Sequence, residues 1–392
     1  MKTQNIQIYS IFITVFIDLL GFGILIPVLP TYAKNFLNAN EFQVGLIIGI
    51  YSFIQFIFNP IIGQLSDKLG RKFFIVSCLV LLSLTYFLLP LAKNFSIFFI
   101  LRAIAGIGGS NIGVSQAYIA DITKPHERTK YMGLIGVAFG AGFMLGPLFG
   151  GLISHYLGFT YIGIAAGILS LVAAIFASIT LPNTHKINFN NIDNINFNAF
   201  SNIKKLFNFP LVSFFIILFF IVTFSIANIF GTLPLLSQYI YKLKDVQIGI
   251  IMSIMGLMGI LTQAFITHTI ENKIGYIYTL YIGLILLTIG LFLMPLGQNI
   301  HFLIISIIIF SLGQGILQNL IPSLISKNTP KENLGNVLGI NQSLAALGRT
   351  LGPIWGGFSF HFIGYKTPYI TGAFFSILSI FLFYNEMKGK RR

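Results

Sequence analysis

Apolar runs long enough to cross a bilayer recur from one end of this chain to the other, and no other feature restricts its fold as much. A crossing needs about 20 consecutive, mostly apolar residues. Twelve such runs are present, centred near residues 20, 52, 82, 106, 143, 170, 222, 257, 286, 313, 347 and 376, with Lys, Asn, Pro or Gly in the breaks. Only 9% of the residues are charged and 55% are hydrophobic, with a mean hydropathy of +0.86. A soluble domain carries about 25% charged residues, so this chain cannot clothe a water-facing surface. It reads as an integral membrane protein. A membrane β-barrel requires short alternating strands, whereas these runs are long and continuously apolar, which leaves helices.

The formal charge of +14 invites a nucleic-acid reading, and its distribution argues against one. With the N-terminus placed in the cytoplasm, seventeen Lys and Arg fall in the inner loops and tails. They include Lys68, Arg71, Lys72, Lys124, Arg128, Lys130 and the terminal Lys388, Lys390, Arg391 and Arg392. Five fall outside, at Lys34, Lys93, Lys242, Lys244 and Lys366, and Arg102 and Arg349 lie within spans. That bias sets the orientation, so both termini are expected in the cytoplasm of a multi-pass protein of the cell inner (plasma) membrane. The first span has no small-residue cleavage site after it and reads as retained. Cys78 is the single cysteine, and it forms no internal disulfide and says nothing of compartment.

The second half of the chain repeats the first. At a shift of 206, Gly133, Gly142, Gly146, Pro147, Gly150, Gly151, His155 and Gly158 fall on Gly339, Gly348, Gly352, Pro353, Gly356, Gly357, His361 and Gly364. A repeat in the same direction implies two six-helix bundles related by an axis along the membrane normal. The expected division is 1–182, a polar, Asn-rich cytoplasmic linker at 183–209, and 210–392. The charged positions do not repeat. Asp18, Asp67, Arg102 and Asp121 correspond roughly to Val222, Asn272, Ile307 and Ser326, so the titratable apparatus sits in the first half.

Asp18 lies in the apolar body of span 1. An ionisable residue within a span is costly and ordinarily faces a polar cavity. Burial disfavours the charged form of a carboxyl, which suits such a group to loading and releasing a proton. The alternative is a carboxylate tied permanently to Arg102 or to a loop amide. Between spans 2 and 3, Gly63 to Lys72 reads GQLSDKLGRK, a short polar stretch expected to form a tight intracellular turn. Gly63 and Gly70 allow close approach or positive φ there, and Asp67, Lys68, Arg71 and Lys72 supply its charges. Span 5 is rich in small residues that admit a neighbouring backbone, with Pro147 bending it. Gln55, Asn59, Asn111, Gln116, Asn228, Gln263, Gln318, Asn319, Asn341 and Gln342 offer hydrogen bonds within the spans. About half are expected to be interhelical only. Gln55, Asn111, Gln116, Asn228, Gln318, Gln342 and Arg349 are assigned to a substrate cavity.

GQLSDKLGRK fills every fixed position of G-x-L-x-D-x-x-G-R-K and so resembles the loop between helices 2 and 3 of the major facilitator superfamily. Gly133, Gly142, Gly146, Pro147, Gly150 and Gly151 match in spacing the antiporter signature of that superfamily's drug:proton exporting branch. IDLLGFGILIPVLP, around Asp18, resembles the first helix of bacterial tetracycline and multidrug exporters. The resemblance covers the whole chain and implies a twelve-helix, all-α transporter working by alternating access. It implies proton coupling at Asp18 and Arg102, and a conformational lock made by Gly63, Asp67, Gly70, Arg71, Lys72 and Asp121. Two departures stand out. The Gln-Gly expected after the helix-4 arginine reads Ala105-Gly106. The helix-8 histidine of tetracycline exporters falls on Gly259, with His268 at that helix's cytoplasmic end, which puts tetracycline itself in doubt. His155 and His361 sit at helix ends and read as interfacial.

No nucleotide-binding loop of the G-x-x-x-x-G-K-[ST] type and no Cys/His metal spacing occurs, so neither ATP hydrolysis nor a cofactor is expected. The expected partners are a small-molecule substrate, protons and the lipid bilayer, with no nucleic acid, for a chain acting as a monomer. The sequence thus points to a non-enzymatic exporter of small amphipathic compounds in exchange for protons. A proton-coupled importer or metabolite exchanger on the same fold is the alternative within transport. A non-transporting receptor or scaffold is the alternative outside it, and intact Asp18, Asp67 and Arg102 argue against that.

Overall fold

In hydrocarbon every backbone amide and carbonyl must find its partner inside the protein, and a helix does this within each segment. The computed structural model describes residues 2–123, 128–182, 210–297, 299–330 and 334–390, and its regular elements are all helical. The expected linker at 183–209 lies outside the described residues. Spans 1 to 6 are Lys2–Leu25, Glu41–Leu69, Arg71–Leu88, Phe95–Ile122, Arg128–Leu157 and Phe159–Thr180. A short helix, Leu29–Leu37, follows span 1, with Pro30 in its first turn. Span 4 is two helices, Phe95–Gly108 and Asn111–Ile122.

Among the described residues, ten segments are long and apolar enough to cross a membrane. One of them, Asp245–Leu293, has 49 residues, roughly 73 Å of helix at 1.5 Å per residue and more than twice a core of about 30 Å. It is two spans, because the backbone leaves helical geometry at Gly275, where φ is 81°. Spans 8 and 9 therefore lie on either side of Gly275. Leu334–Phe362, 29 residues long, is diluted in apolar character by Arg349 and its glycines, yet it is long enough to be span 11. Spans 7, 10 and 12 are Pro210–Tyr239, Ile300–Lys327 and Thr367–Lys390. Among the described residues the complement is twelve.

The joints between spans repeat as well as the glycines do. Asn38 and Lys242, both at φ 52°, take the left-handed conformation before spans 2 and 8. Gly70 and Gly275 have positive φ at the joints 2–3 and 8–9, and Gly158 and Gly364 at the joints 5–6 and 11–12. Asn94 and Asn299 cap spans 4 and 10, their side chains accepting from the amides of Ile97 and Phe302, each at 2.9 Å. Such caps satisfy helix N–H groups that have no intrahelical partner. The backbone thus preserves the duplication where side chains have diverged.

Two units emerge. One gathers Met1–Asn38, Ile50–Ala199 and Lys244–Ser253, and the other Ala39–Gly49, Phe200–Leu243 and Ile254–Arg392. Spans 2 and 8 are each divided between them. In the first unit span 1 packs on spans 5 and 6, and span 3 on spans 4 and 6; in the second, span 7 packs on spans 11 and 12, and span 9 on spans 10 and 12. Leu84, Ile100, Ile175, Phe374 and Phe381 are all more than half exposed, as side chains meeting lipid should be. Serine and threonine hydroxyls inside the spans mostly bond the carbonyl three or four residues back, as Thr14 does to Ser10 at 2.8 Å, which removes a donor that hydrocarbon cannot serve.

Candidate functional site

Asp18 sits in the second half of span 1 with 4% of its surface exposed. The Asn111 side-chain amide donates to Oδ2 at 2.9 Å, and the Ser170 hydroxyl reaches Oδ1 at 3.4 Å. Asn111 begins the second part of span 4, just past the break at Gly109 and Ser110. At that break the Gly109 carbonyl accepts from the Gln55 amide at 2.7 Å, which serves an acceptor the interrupted helix leaves over. Gly109 has no room for a side chain, since a Cβ there would lie 2.6 Å from the Tyr51 ring. Arg102, 3% exposed, lies 4.7 Å from the centroid of that same ring. Its Nε and Nη1 have no hydrogen-bond partner among the described residues. The permanent tie between Asp18 and Arg102 is therefore not made: neutral donors hold the carboxylate, and an aromatic face holds the guanidinium. A carboxylate so held accepts a proton without breaking an ion pair.

The stretch GQLSDKLGRK, expected to be a short polar turn throughout, is a helix with one interruption. Span 2 runs through Leu69, span 3 starts at Arg71, and only Gly70, at φ 102°, breaks them. Gly70 fulfils the expected conformational role. Gly63 does not, because it is helical and a Cβ there would meet nothing within 4 Å. Arg71 is the hub, 8% exposed. Its Nε donates to Asp121 Oδ2 at 2.9 Å, Nη1 to Ser66 Oγ at 2.7 Å and to the Gly63 carbonyl at 3.3 Å, and Nη2 pairs with Asp67. One guanidinium thus ties the end of span 2 to the end of span 4 through charge-assisted bonds. Lys72 is half-buried beside it, and the Lys68 side chain lies outside the described residues.

The glycines of span 5 divide between two neighbours. Gly142, Gly146 and Gly150 face span 1: a Cβ on Gly142 would lie 2.9 Å from the Leu19 carbonyl carbon, and one on Gly146 2.6 Å from the Gly23 Cα. Gly151 faces the start of span 8, where a Cβ would lie 2.6 Å from the Asp245 carbonyl oxygen. Gly249 of span 8 returns the contact on the Pro147 carbonyl. In the second unit Gly348, Gly352 and Gly356 press on span 7 at Phe224, Ala227 and Asn228, while Gly357 meets Glu41 and Gly45 of span 2. The signature is thus a two-sided packing surface, the same in both units. Gly133 is helical, and its surroundings lie outside the described residues.

The remaining polar residues separate by burial. Asn228 is wholly buried, and neither of its amide atoms has a hydrogen-bond partner among the described residues. Gln116, Gln318 and Arg349 are half-buried, and Gln342 is exposed. Asn319 donates to the Gln263 carbonyl at 3.0 Å, an interhelical bond of the expected kind. No group of three or more His, Cys, Asp or Glu suited to a metal ion occurs among the described residues.

The family profile described as Major Facilitator Superfamily matches residues 11–353. The chain belongs to that superfamily. Among its relatives, the class H tetracycline resistance protein of Pasteurella multocida is 27% identical over 381 residues, covering 94% of this chain and 92% of that one. Multidrug resistance protein 1 of Bacillus subtilis (strain 168) is 28% identical over 366 residues, with 92% and 91% covered. The crystal structure of the human organic anion transporter MFSD10 (TETRAN) superposes with a TM-score of 0.73 at 22% identity, covering 97% of this chain and 99% of that one. The protein is a multi-pass membrane transporter of this superfamily and not an enzyme.

Within the superfamily fold, some site residues escape sequence reasoning. Ser170 is a lone hydroxyl in the apolar run ILSLVAAI, and only the crossing of spans 1 and 6 brings it to Asp18. Tyr51 reads as one more aromatic among many. Ser66 occupies a variable position of the motif, although its place five residues before Arg71 on a nearly continuous helix is a usable signal. Glu41 and His361 are 320 residues apart, and His361 Nδ1 lies 2.6 Å from Glu41 Oε2.

Proposed function

We propose that this transporter exports small amphipathic compounds, drugs among them, in exchange for protons by alternating access. The observation that carries the reading is the Asp18 carboxylate, buried in a span and held by the neutral side chains of Asn111 and Ser170. Such a group exchanges a proton at the cost of one hydrogen bond's geometry, whereas a salt-bridged acid would leave a buried cation bare. The resistance proteins among the relatives support export and a drug-like substrate class.

In this reading Arg102 tunes Asp18 through its fixed charge. Asp67, Arg71 and Asp121, with Gly63, Gly70 and Lys72, form the lock on the cytoplasmic side, and the span 5 glycines form the surface on which conformations exchange. Gln55, Asn111, Gln116, Asn228, Gln318, Gln342 and Arg349 contribute to the substrate path. The two halves, 1–182 and 210–392, are joined by a cytoplasmic linker at 183–209. The chain works as a monomer in the plasma membrane with both termini inside.

The test is export against a gradient in proteoliposomes with and without an imposed pH difference, using dyes and antibiotics as substrates. Asp18→Asn mimics the protonated acid permanently. It is expected to abolish pH-driven uphill export while leaving downhill equilibration, and Asp18→Glu is expected to retain partial activity. Full uphill export by Asp18→Asn would place the proton carrier elsewhere.

A further inference from the structure

Spans 2 and 8 are copies of one element, and they differ in length by one residue. Both open alike: the Gln43 side chain accepts from the Asn40 amide, and the Gln247 side chain from the Lys244 amide, each at 2.9 Å. Both also lead to a glycine of positive φ, Gly70 and Gly275. From Asn38 to Gly70 is 32 positions, whereas from Lys242 to Gly275 it is 33. Span 8 takes up the extra residue at Thr262–Ile266, a single turn of π-helix. Span 2 is interrupted at the same level by Pro60, which has no amide to give its helix.

The bulge leaves one carbonyl to be served from outside. The Thr267 amide bonds the Thr262 carbonyl, five residues back, and the Thr267 hydroxyl donates to the same oxygen at 2.9 Å. The helix then resumes its four-residue spacing, and the carbonyl of Gln263 is passed over. Asn319 of span 10 serves it, its side-chain amide donating at 3.0 Å. One turn earlier on span 10, Gly315 has no room for a side chain, since a Cβ there would lie 2.7 Å from the Thr262 Cβ. Span 10 thus seats the bulge and supplies its missing donor. Sharp bends in helices fall at prolines and π-bulges. Bending here strains one side-chain bond, and a side-chain amide can follow the carbonyl it serves. We propose that span 8 is jointed at Thr262–Ile266, that its extra residue is the joint, and that Asn319 sets the joint's angle. Lys244–Ser253 gathers with the first unit and the rest of the span with the second, so a span shared in this way must bend if the units move. The use of the joint in transport rests on the alternating-access reading above; the joint itself does not.

Deleting Ala264, an exposed residue of the bulge, brings span 8 to the register of span 2. The shortened chain is expected to fold and to melt in detergent at or above the parent's temperature. Deleting Ile285, exposed in the regular helix of span 9, turns every later residue of that helix by about 100° and is expected to leave no folded protein. Loss of folded protein on deleting Ala264 would overturn the proposal. Bending is read by pulsed electron-spin distances in the full chain in lipid nanodiscs, with Cys78→Ser and labels at Leu257 and Lys273, about 24 Å apart along a helix. The distribution is expected to narrow when Ala264 is deleted. It is expected to broaden in Asn319→Leu, which keeps the bulk without the donor, and to return towards the parent's in Asn319→Gln. The same width in the parent, the deletion and Asn319→Leu would make the bulge a fixed irregularity and overturn the proposal. In vesicles the deletion is expected to stop export uphill and downhill alike, whereas Asp18→Asn keeps the downhill movement. A fully active deletion variant would remove the joint from the transport cycle. A parent that moves no substrate would sink the transport reading alone, because the distances judge the joint.

Discussion

At the scale of single residues, two side chains organise the first unit, and both yield ordered predictions. Arg71 makes four contacts with a planar fork, a geometry that a lysine cannot reproduce. Asp67 is 56% exposed and Asp121 34%, so water screens the first pair more than the second. Transport is therefore expected to fall most in Arg71→Lys, next in Asp121→Asn and least in Asp67→Asn, with all three proteins still in the membrane. Equal rates in the three would reduce the cluster to a structural turn. Around Asp18 the donors are unequal too. A hydrogen bond to a charged group contributes about 1.5–3 kcal/mol, and the Asn111 bond is short whereas the Ser170 contact is at the limit. Asn111→Ala is expected to slow pH-driven export by about ten-fold or more, and Ser170→Ala by much less. Both effects are read in the same vesicle assay as a change in rate against external pH.

At the scale of elements, glycines that look alike in the sequence differ in what surrounds them. Gly146 faces the backbone of span 1, and a Cβ there would be 2.6 Å from Gly23 Cα, so Gly146→Ala is expected to lower the melting temperature in detergent. Gly63 faces open space, and Gly63→Ala is expected to leave melting unchanged or raise it, since Gly in a helix interior costs roughly 0.5–1 kcal/mol relative to Ala. A drop in the second variant equal to the first would contradict the packing described. Sequence alone separates these two poorly. It reveals the periodic glycines and the motif that contains Gly70, because spacing and charge are local properties. It takes the whole of GQLSDKLGRK for a tight turn, because polar residues at a membrane surface look the same whether the helix continues there or stops. The choice depends on Arg71 finding acceptors on spans 2 and 4, which only the folded chain supplies. Ser170 and Tyr51 are hidden for the same reason, their partners being distant in sequence.

At the scale of the whole molecule, the repeat is the most legible feature, and it extends to joints that carry no shared side chain, such as Asn38 with Lys242. The orientation rests on the distribution of positive charge and is open to direct test. With Cys78, which is buried, first changed to serine, single cysteines at Asn190 and Lys242 are to be probed with an impermeant maleimide on intact cells. Label at 242 and none at 190 is the expected result, and the reverse would invert the topology.

The glycine contacts between Gly151 and Asp245, between Gly249 and Pro147, and between Gly357 and Glu41 have a thermodynamic consequence. Immobilising a long side chain costs up to about 2 kcal/mol in lost rotamer freedom, whereas Gly, Ala and Pro have none to lose. Seams built from backbone against backbone can therefore form and part with almost no change in side-chain entropy. What holds them is van der Waals contact, set against that of the lipid or water that would replace it. A leucine at position 249 would add a rotamer term to a surface that now has none.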